Sequence, residues 1–335
     1  MKSVTILGIE SSCDDTSAAV IQDGKLLSNI ISTQSVHKEY GGVVPELASR
    51  AHQQNIVPVV QRALDTAKIN KKQLEAIGFT RGPGLLGALL VGTSFSKALS
   101  LSLDIPLIEV NHMQAHVLAH FIKEPHPKFP FLCLTVSGGH TQLVRVNSPQ
   151  EMHVIGETMD DAVGEAFDKA AKMLGLSYPG GPLIDQNAQL GNPEKFVFPQ
   201  AEMKGYNFSF SGIKTSLLYF LRSKKADDKD FIEQNMADIC ASYQQALINM
   251  LVKKLTLATR NLSITEVAIA GGVSANSQLR KEVELMSQKK GWKVFIPDVQ
   301  YCTDNAGMIA MAAYFKYLRQ DFSDLSVSAT ARMSL

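Results

Sequence analysis

The sequence contains few cysteines, and they lie far apart. Only four occur among the 335 residues, with no CxxC pair and no regular spacing: Cys13, Cys133, Cys240 and Cys302. A disulfide framework needs regularly spaced cysteines, so this class of secreted protein is excluded. Isolated thiols are typical of a reducing compartment, and we expect the chain to be cytoplasmic.

An excess of charge of one sign is also lacking. The 33 basic and 32 acidic side chains leave a formal net charge of +1 at pH 7. Nucleic-acid binding depends on neutralising phosphates, and no overall field of the chain indicates such a partner. Hydrophobic residues make up 45% and charged residues 19%, proportions that are typical of a globular protein and exclude a disordered or fibrous one.

Targeting segments and long hydrophobic runs are absent as well. The first residues lead directly into the apolar run Val4 to Ile9, without the longer apolar region and the cleavage site of a signal peptide. Further along, no segment holds enough uninterrupted apolar residues to span a bilayer. We therefore expect neither export nor contact with a membrane.

The length of the chain predicts two domains. A chain of 335 residues exceeds the size at which a single core usually keeps growing. A strand, a polar turn and a returning strand open the chain and occur again at residues 131–146, which indicates a duplicated α/β architecture. We place the first lobe at residues 1–110 and the second at residues 111–303, and we expect a helix at about residues 304–320 to pack back on the first lobe.

Proline and glycine indicate where regular structure is interrupted. Residues Pro45 to Ala67 have helical spacing, but Pro58 lies among them and predicts a break into two helices, because proline removes a helical hydrogen bond. The run Pro179 to Pro182, with two glycines between the prolines, predicts a loop.

One stretch carries three histidines at helical spacing. Residues 108–120 contain no glycine or proline, and in a helix His112 and His116 lie one turn apart on the same face, with His120 one turn further. Two imidazoles placed in this way can hold one divalent metal ion, which then needs a third ligand from elsewhere in the chain. Paired helical histidines also occur at solvated or core-edge positions, so the spacing alone leaves that alternative open.

The best candidate for the third ligand is Asp304. It lies after the apolar strand Val294 to Ile296 and before a helix rich in alanine and methionine. The alternative role for Asp304 is the N-cap of that helix, a position at which Asp and Asn are both favoured. Neighbouring residues can fill both roles.

Three turns contain hydroxyls or glycines where backbone N–H groups can point at an anion. They lie at residues 11–16, 137–140 and 271–276. Such turns at strand ends and helix starts bind phosphates, although each turn alone is equally typical of a simple chain reversal. Because they recur in both halves, they favour a nucleotide held between two lobes.

Asp168 and Asp185 are candidates for contact with a ribose. Glu165 and Asp168 lie at i and i+3 on a predicted helix, and Asp185 follows the glycine-rich run 180–182. Carboxylates accept hydrogen bonds well from ribose hydroxyls, so Asp168 or Asp185 is a candidate ligand. The alternative for this segment is a solvated helix face with a salt bridge.

Ordered motifs over nearly the whole chain resemble one protein family. They are the segments Gly8 to Thr16, Gly41 to Arg50, His112 to His116, Val136 to Thr141, Gly180 to Pro182, Ser209 to Gly212, Ala270 to Asn276 and Cys302 to Asn305. Together they are similar to the bacterial TsaD family of tRNA N6-adenosine threonylcarbamoyltransferases, formerly labelled glycoproteases. One position departs from the family pattern, because Asn111 stands where the family often has a histidine.

The resemblance implies a fold and a reaction. The fold is that of the actin-like ATPase domains of sugar kinases and heat-shock proteins, with two related α/β lobes and a central nucleotide and metal cleft. The reaction is transfer of the threonylcarbamoyl group from threonylcarbamoyl-AMP to N6 of adenosine 37 in tRNAs that read codons beginning with A. The resemblance leaves the general base, and thus the catalytic residue, unassigned.

The resemblance also implies ligands and partners. One divalent ion, with Fe²⁺ favoured and Zn²⁺ as the alternative, is held by His112, His116 and Asp304. The residues that match substrate ligands of the family are Val136, Ser137, Gly138, Gly139, Asp168, Gly181, Asp185 and Asn276. The implied partners are tRNA, a TsaB-type paralogue that forms a heterodimer, and a TsaE-type P-loop ATPase.

Three other functions share some of these sequence features. A zincin metalloprotease needs a glutamate directly after the first histidine to activate water, but Met113 follows His112. A small-molecule kinase of the same fold would phosphorylate an acceptor. A nucleotide-binding scaffold needs no metal ligands, so retention of both histidines and Asp304 favours the enzyme.

Overall fold

The apolar run near the start of the chain becomes the central strand of a mixed sheet. The sheet belongs to the first of two compact units in a computed structural model that describes residues 3–335. Its strands are β1 (Thr5–Glu10), β2 (Asp15–Gln22), β3 (Lys25–Thr33), β4 (Ala76–Gly82) and β5 (Leu107–Asn111). The order is β3-β2-β1-β4-β5, with an antiparallel hairpin on one side of β1 and parallel pairs on the other. All six residues of β1 are buried, so both of its faces are covered, as its largely apolar sequence predicts.

Helices pack on this sheet, and one of them corrects a prediction. They are α1 (Pro45–Ala67), α2 (Leu86–Leu103), α3 (His112–Leu118) and, near the C-terminus, α10 (Ala306–Tyr317). α1 is continuous, so the break predicted at Pro58 is wrong. Pro58 lies on the exposed face of α1, where water can bind the backbone carbonyl that a proline leaves without a donor.

Helix α2 is long and apolar. By length and composition it meets the requirements of a membrane-spanning helix, so the expectation that no such segment exists was wrong on those two criteria. One face of α2, which includes Ala88, Leu89 and Ser96, is buried in the first unit. Helices in the core of a protein can meet the same criteria of length and composition. The apolar composition of α2 is therefore not evidence that it spans a membrane.

The second unit repeats the sheet of the first. Its strands are β6 (Phe131–Val136), β7 (Thr141–Val146), β8 (Met152–Glu157), β9 (Glu266–Ala270) and β10 (Lys293–Phe295). The order is β10-β9-β6-β7-β8, with antiparallel β6-β7 and β7-β8 pairs and parallel β6-β9 and β9-β10 pairs. Each unit thus has a meander of three strands on one side and two parallel strands on the other. The predicted duplication of an α/β architecture is confirmed.

The helices of the second unit correct another prediction. They are α4 (Val163–Met173), α5 (Gly180–Ala188), α6 (Ser211–Asp227), α7 (Phe231–Gln234), α8 (Met236–Leu262) and α9 (Ser277–Lys290). Gly180, Gly181 and Pro182 form the first turn of α5 and not the predicted loop. The first N–H groups of a helix have no partner within it, so a proline is tolerated there.

The two units are not divided where the sequence suggested. The first unit extends to His126 and resumes at Pro297, whereas the second spans Pro127–Ile296. Residues 111–126 and 297–303, which were assigned to the second lobe, therefore belong to the first. The reason is packing, since α10 lies against β1, β2, β4 and α3. The approach is so close that a Cβ on Gly8 would lie 2.6 Å from the backbone nitrogen of Ala310.

Candidate functional site

The histidine-bearing helix begins at an asparagine that caps it. β5 ends at Asn111, whose side-chain oxygen accepts hydrogen bonds from the N–H groups of Met113 (2.8 Å) and Gln114 (3.2 Å). These bonds satisfy two of the free donors at the start of α3. The Asn111 amide also donates to the carbonyl of Ser334 (2.8 Å). The residue that departs from the family pattern thus orients the helix that carries His112 and His116.

Two donor atoms on this helix converge with a third from a distant part of the chain. The Nε2 atoms of His112 and His116 lie 3.2 Å apart, and each lies 3.3 Å from Oδ1 of Asp304. His116 is 2% exposed and His112 is 8% exposed, so both imidazoles are held by their surroundings. Asp304 is not the N-cap of α10, because the side chain of Asn305 takes that role by accepting from Met308 N–H.

The spacing of these atoms fits a single metal ion. Three ligands bound at about 2.1 Å, with angles between the tetrahedral and the octahedral value, lie roughly 3.0–3.4 Å from one another. The separations among His112, His116 and Asp304 fall in this range. Two imidazoles and one carboxylate are a common donor set for divalent transition metals. The cluster is therefore compatible with a metal site.

A buried carboxylate that the sequence reading missed supports this cluster. Glu10 is fully buried, and its Oε2 accepts hydrogen bonds from the Thr80 hydroxyl (2.7 Å) and from Nδ1 of His112 (3.0 Å). Its Oε1 accepts from the N–H of Ser12. With its Nδ1 proton held by Glu10, His112 presents Nε2 to the other two donors, which is the usual arrangement of a metal-binding histidine. The turn at residues 11–16 therefore lies beside the histidines.

The electrostatics of the cluster favour a cation. Burial raises the pKa of Glu10, but the proximity of His112 outweighs this effect and holds the pKa below its usual range. Burial also raises the pKa of Asp304, but His112 and His116 together hold it well below its usual range. The same two carboxylates raise the pKa of His112 despite its burial, whereas burial and His112 lower the pKa of His116. The carboxylates of Glu10 and Asp304 therefore favour a cation beside the converging donors.

In the second unit, two predicted turns follow adjacent parallel strands. The turn 137–140 follows β6 and is closed by a hydrogen bond from Ser137 N–H to His140 carbonyl (2.8 Å). The turn 271–276 follows β9, which pairs with β6. A Cβ on Gly138 or Gly139 would have no described heavy atom within 4 Å, so the space in front of this turn is open. Ligands of α/β sheets commonly bind at the carboxyl ends of such strands.

Gly271, at the start of the second turn, packs closely against the end of β6, where the first turn begins. Its φ of +86° and ψ of 167° lie in a region that only glycine adopts without strain. A Cβ at this position would also lie 2.4 Å from the carbonyl oxygen of Val136, at the end of β6. The relative position of the two turns therefore depends on a glycine.

We expect Gly271→Ala to disrupt the turns more than a matched change elsewhere. Gly291 also has a positive φ, of +69°, but a Cβ there would meet no described atom within 4 Å. Gly291→Ala should cost about 1 kcal/mol of unfolding free energy, and Gly271→Ala about 1–3 kcal/mol more. Urea unfolding of both variants measures the difference, and equal losses would contradict the packing argument.

Asp168 contacts the start of a helix. Its Oδ1 accepts hydrogen bonds from the N–H groups of Gly180 (2.8 Å) and Gly181 (3.3 Å). Burial raises the pKa of the Asp168 carboxyl, and these two bonds offset part of that rise. Glu165, one turn earlier on α4, forms an ion pair with Lys169 (2.6 Å). The two carboxylates of this helix therefore have different roles: Glu165 is in a salt bridge and Asp168 anchors α5.

Asp185 and Asn276 belong to one hydrogen-bond network. Oδ1 of Asp185 accepts from the Ser277 hydroxyl (2.7 Å) and from Nε2 of Gln244 (3.0 Å), while Oδ2 accepts from Ser277 N–H (3.0 Å). Asn276 donates to Oε1 of Gln244 (2.7 Å) and accepts from Leu279 N–H (2.9 Å), which caps α9. The structure thus brings these two predicted residues together through Gln244, which the sequence reading missed.

Two further predicted residues lie at the end of a strand and at the start of a helix. Val136 is fully buried as the last residue of β6, and Gly181 lies in the first turn of α5. Gln244 has no signal in the linear sequence, since it lies inside a 27-residue helix, and Glu10 is marked only by its place in the motif Gly8 to Thr16. Their partners are far away along the chain.

A family model covers most of the chain. The model described as TsaD, tRNA N6-adenosine threonylcarbamoyltransferase, matches residues 25–311. The chain belongs to this family. Within the matched range lie the metal-compatible cluster and all of the predicted substrate residues of the second unit. The family assignment made from the sequence motifs is confirmed.

Curated relatives support the TsaD assignment over the full length. A protein of Christiangramia forsetii is 61% identical over 332 residues, covering 98% of both chains, and one of Cytophaga hutchinsonii is 60% identical over 99% of this chain and 97% of the relative. A protein of Thermosipho africanus is 49% identical over 98% of this chain and 99% of its own length. Each is named tRNA N6-adenosine threonylcarbamoyltransferase.

Solved structures of distant proteins share the fold of this TsaD chain. HypF of T. kodakarensis is similar with a TM-score of 0.64 at 13% identity, covering 98% of this chain and 50% of HypF. The ROK hexokinase of Thermus thermophilus has a TM-score of 0.51 at 16% identity, covering 94% of this chain and all of the hexokinase. At such identities the similarity shows the fold alone, which is the predicted actin-like α/β fold of sugar kinases.

Proposed function

We propose that the chain transfers the threonylcarbamoyl group from threonylcarbamoyl-AMP to N6 of adenosine 37 in tRNAs that read codons beginning with A. The observation that carries this proposal is the match to relatives of that name over 98% of the chain. The convergence of His112, His116 and Asp304 supports it, because the donor set suits a metal-dependent transferase. The proposed location is the cytoplasm.

The first unit would hold the metal. We infer that His112, His116 and Asp304 bind one divalent ion, Fe²⁺ or alternatively Zn²⁺, since both ions accept this donor set. A bound ion supplies Lewis acidity for the carbamoyl carbonyl and a template for its orientation. Glu10 keeps the His112 ring oriented, and both histidines are buried.

The second unit would hold the adenylate. In the open turn at Ser137, Gly138 and Gly139, the two glycines offer their backbone N–H groups to a phosphate, because the Ser137 N–H is already bonded to the His140 carbonyl. Asp185 and Asn276 offer polar groups to the ribose and base, while Asp168 and Gly181 connect α4 to the start of α5. Val136 supports the turn from the end of β6.

The reaction forms one bond and breaks one. The N6 amine of adenosine 37 attacks the carbamoyl carbon, and the C–O bond to phosphate breaks, so that AMP leaves with the electron pair. The amine loses one proton in this step, to a base that we leave unassigned. Backbone N–H groups near the departing phosphate stabilise the charge that develops there, which is commonly worth about 3–4 kcal/mol per donor.

We also propose that the chain works with other components. These are tRNA as substrate, a TsaB-type paralogue as heterodimer partner and a TsaE-type P-loop ATPase. The net charge of +1 provides little attraction for tRNA. Partner subunits would therefore complete the tRNA-binding surface.

Reconstitution of the full reaction tests the proposed function. Unmodified tRNA is incubated with threonine, bicarbonate, ATP, the partner proteins and the chain, and its nucleosides are analysed by mass spectrometry. We expect threonylcarbamoyladenosine only when the chain is present and only in tRNA with adenosine at position 37. A control tRNA with guanosine at that position should remain unmodified. Modification of the control, or none of the intended tRNA, would contradict the proposal.

A further inference from the structure

A glutamine inside the longest helix connects two proposed substrate residues. Gln244 lies on α8 and is only 3% exposed. Its Nε2 donates to Oδ1 of Asp185 (3.0 Å), and its Oε1 accepts from Nδ2 of Asn276 (2.7 Å). Both ends of one buried amide thus bind side chains from two other helices, α5 and the start of α9.

These bonds determine which atoms of Asp185 remain available. Oδ1 of Asp185 already accepts two hydrogen bonds, from Gln244 and from the Ser277 hydroxyl, whereas Oδ2 accepts only one, from Ser277 N–H. A carboxylate oxygen has two lone pairs for such bonds. The free acceptor of Asp185 is therefore on Oδ2, and Gln244 and Ser277 hold the carboxylate in the rotamer that presents it.

The same amide determines the orientation of Asn276. Its oxygen accepts from Leu279 N–H (2.9 Å), and its nitrogen donates to Gln244. An asparagine side chain can flip by half a turn, but a flip here would point the amide nitrogen at the Leu279 N–H and its oxygen at Oε1 of Gln244. Gln244 therefore selects one orientation of Asn276.

We propose that Gln244 is a positioning residue for the nucleotide, which acts by presenting Oδ2 of Asp185 to a ribose hydroxyl. This inference rests on the proposed function, because it assumes that the second unit binds the adenylate. Burying an amide is costly unless both its donor and its acceptor are paired. An apolar side chain of the same length would fill the space without that requirement. The hydrogen bonds to Asp185 and Asn276 therefore explain why a glutamine is buried here.

Binding of AMP and its deoxy analogues to Gln244→Met tests the proposal. Methionine has nearly the same length as glutamine but forms neither hydrogen bond. Isothermal titration measures the affinity of the full-length protein for AMP, 2′-deoxy-AMP and 3′-deoxy-AMP. The wild type should bind AMP about tenfold more tightly than whichever of the two deoxy analogues lacks the hydroxyl that Asp185 binds. Tenfold is the usual effect of one hydrogen bond to a charged group. In Gln244→Met this preference should fall to about twofold.

A matched control lies next to this residue on the same helix. Gln245 is also bonded at both ends, to Asn249 (2.8 Å) and Gln278 (2.9 Å), but it contacts neither Asp185 nor Asn276 through those bonds. Gln245→Met should therefore keep the tenfold preference. In an Asp185→Asn background, Gln244→Met should have no further effect on the preference, because Gln244 acts through Asp185.

The possible results separate the two proposals. If the wild type binds AMP and prefers it, but Gln244→Met keeps the same preference, the positioning role is wrong and the proposed function stands. If the wild type does not bind AMP, or binds all three nucleotides equally, the adenylate site itself is wrong and the role of Gln244 fails with it. Should Gln244→Met not fold, Gln244→Asn answers the same question, since its amide is too short to reach both partners.

Discussion

Replacement of His116 by alanine is expected to remove the bound divalent ion and the transfer activity together. Its Nε2 lies 3.2 Å from Nε2 of His112 and 3.3 Å from Oδ1 of Asp304, so the variant keeps only two of the three converging donors. The loss of metal affinity should exceed the roughly 10–100-fold effect of removing a group that only orients a ligand. Metal content by elemental analysis and transfer by nucleoside mass spectrometry are the two measurements.

The fold of this variant should survive. Nδ1 of His116 has no hydrogen-bond partner in residues 3–335, so alanine leaves no new unpaired group on that side of the ring. His153→Ala is the matched control, because His153 is exposed and pairs with Glu151 on the surface of the second unit. It should keep the metal and the activity. Full transfer by metal-free His116→Ala would refute the metal-dependent reaction.

Glu10→Gln is expected to weaken metal binding by about 10–100-fold while the chain stays folded. Glu10 accepts the Nδ1 proton of His112, and this bond leaves Nε2 free to bind a metal. A glutamine amide can donate to Nδ1, which would move the ring proton to Nε2, the ligand atom. The substitution also removes a negative charge that favours a cation at the cluster. Competition with a chelator of known affinity measures the change.

A carboxylate in the same unit provides the control for Glu10. Glu109 on β5 is partly buried, and its carboxylate pairs with Arg81 at 2.8 Å and not with a histidine. Glu109→Gln should change stability without changing metal affinity. Thermal unfolding of both variants shows whether the chain remains folded. If Glu10→Gln bound the metal as tightly as the wild type, Glu10 would have no part in orienting His112.

Local spacing explains why the metal candidates were predictable. His112 and His116 lie four residues apart on one helix, and helical geometry alone brings such side chains together. The place of Asp304 between an apolar strand and a helix makes it the candidate third ligand, and its Oδ1 lies 3.3 Å from Nε2 of each histidine. Residues near strand ends and helix starts are easier to predict because their position follows from the element they belong to.

Predictions that depended on how elements pack were less successful. Pro58 was expected to break α1, but its exposed position lets water replace the lost bond. The lobe boundary was placed after residue 110, yet α3 and residues 297–303 belong to the first unit. The glycine-rich run at 180–182 starts a helix, because Asp168 accepts hydrogen bonds from its first N–H groups. Each error concerned the surroundings of a segment in the folded chain, namely solvent at Pro58 and distant segments in the other two cases.

The sequence by itself determined the family, the duplicated α/β plan, the histidine pair with Asp304 and the glycine turns of the second unit. These features depend on residue type and short spacing, which can be read along the chain. Only the tertiary structure revealed Glu10 behind His112 and Gln244 between Asp185 and Asn276. The residues in these contacts lie 102, 59 and 32 positions apart, and such pairs meet only when the core is packed. Buried polar groups must find partners wherever folding brings them, so their roles cannot be derived from local sequence.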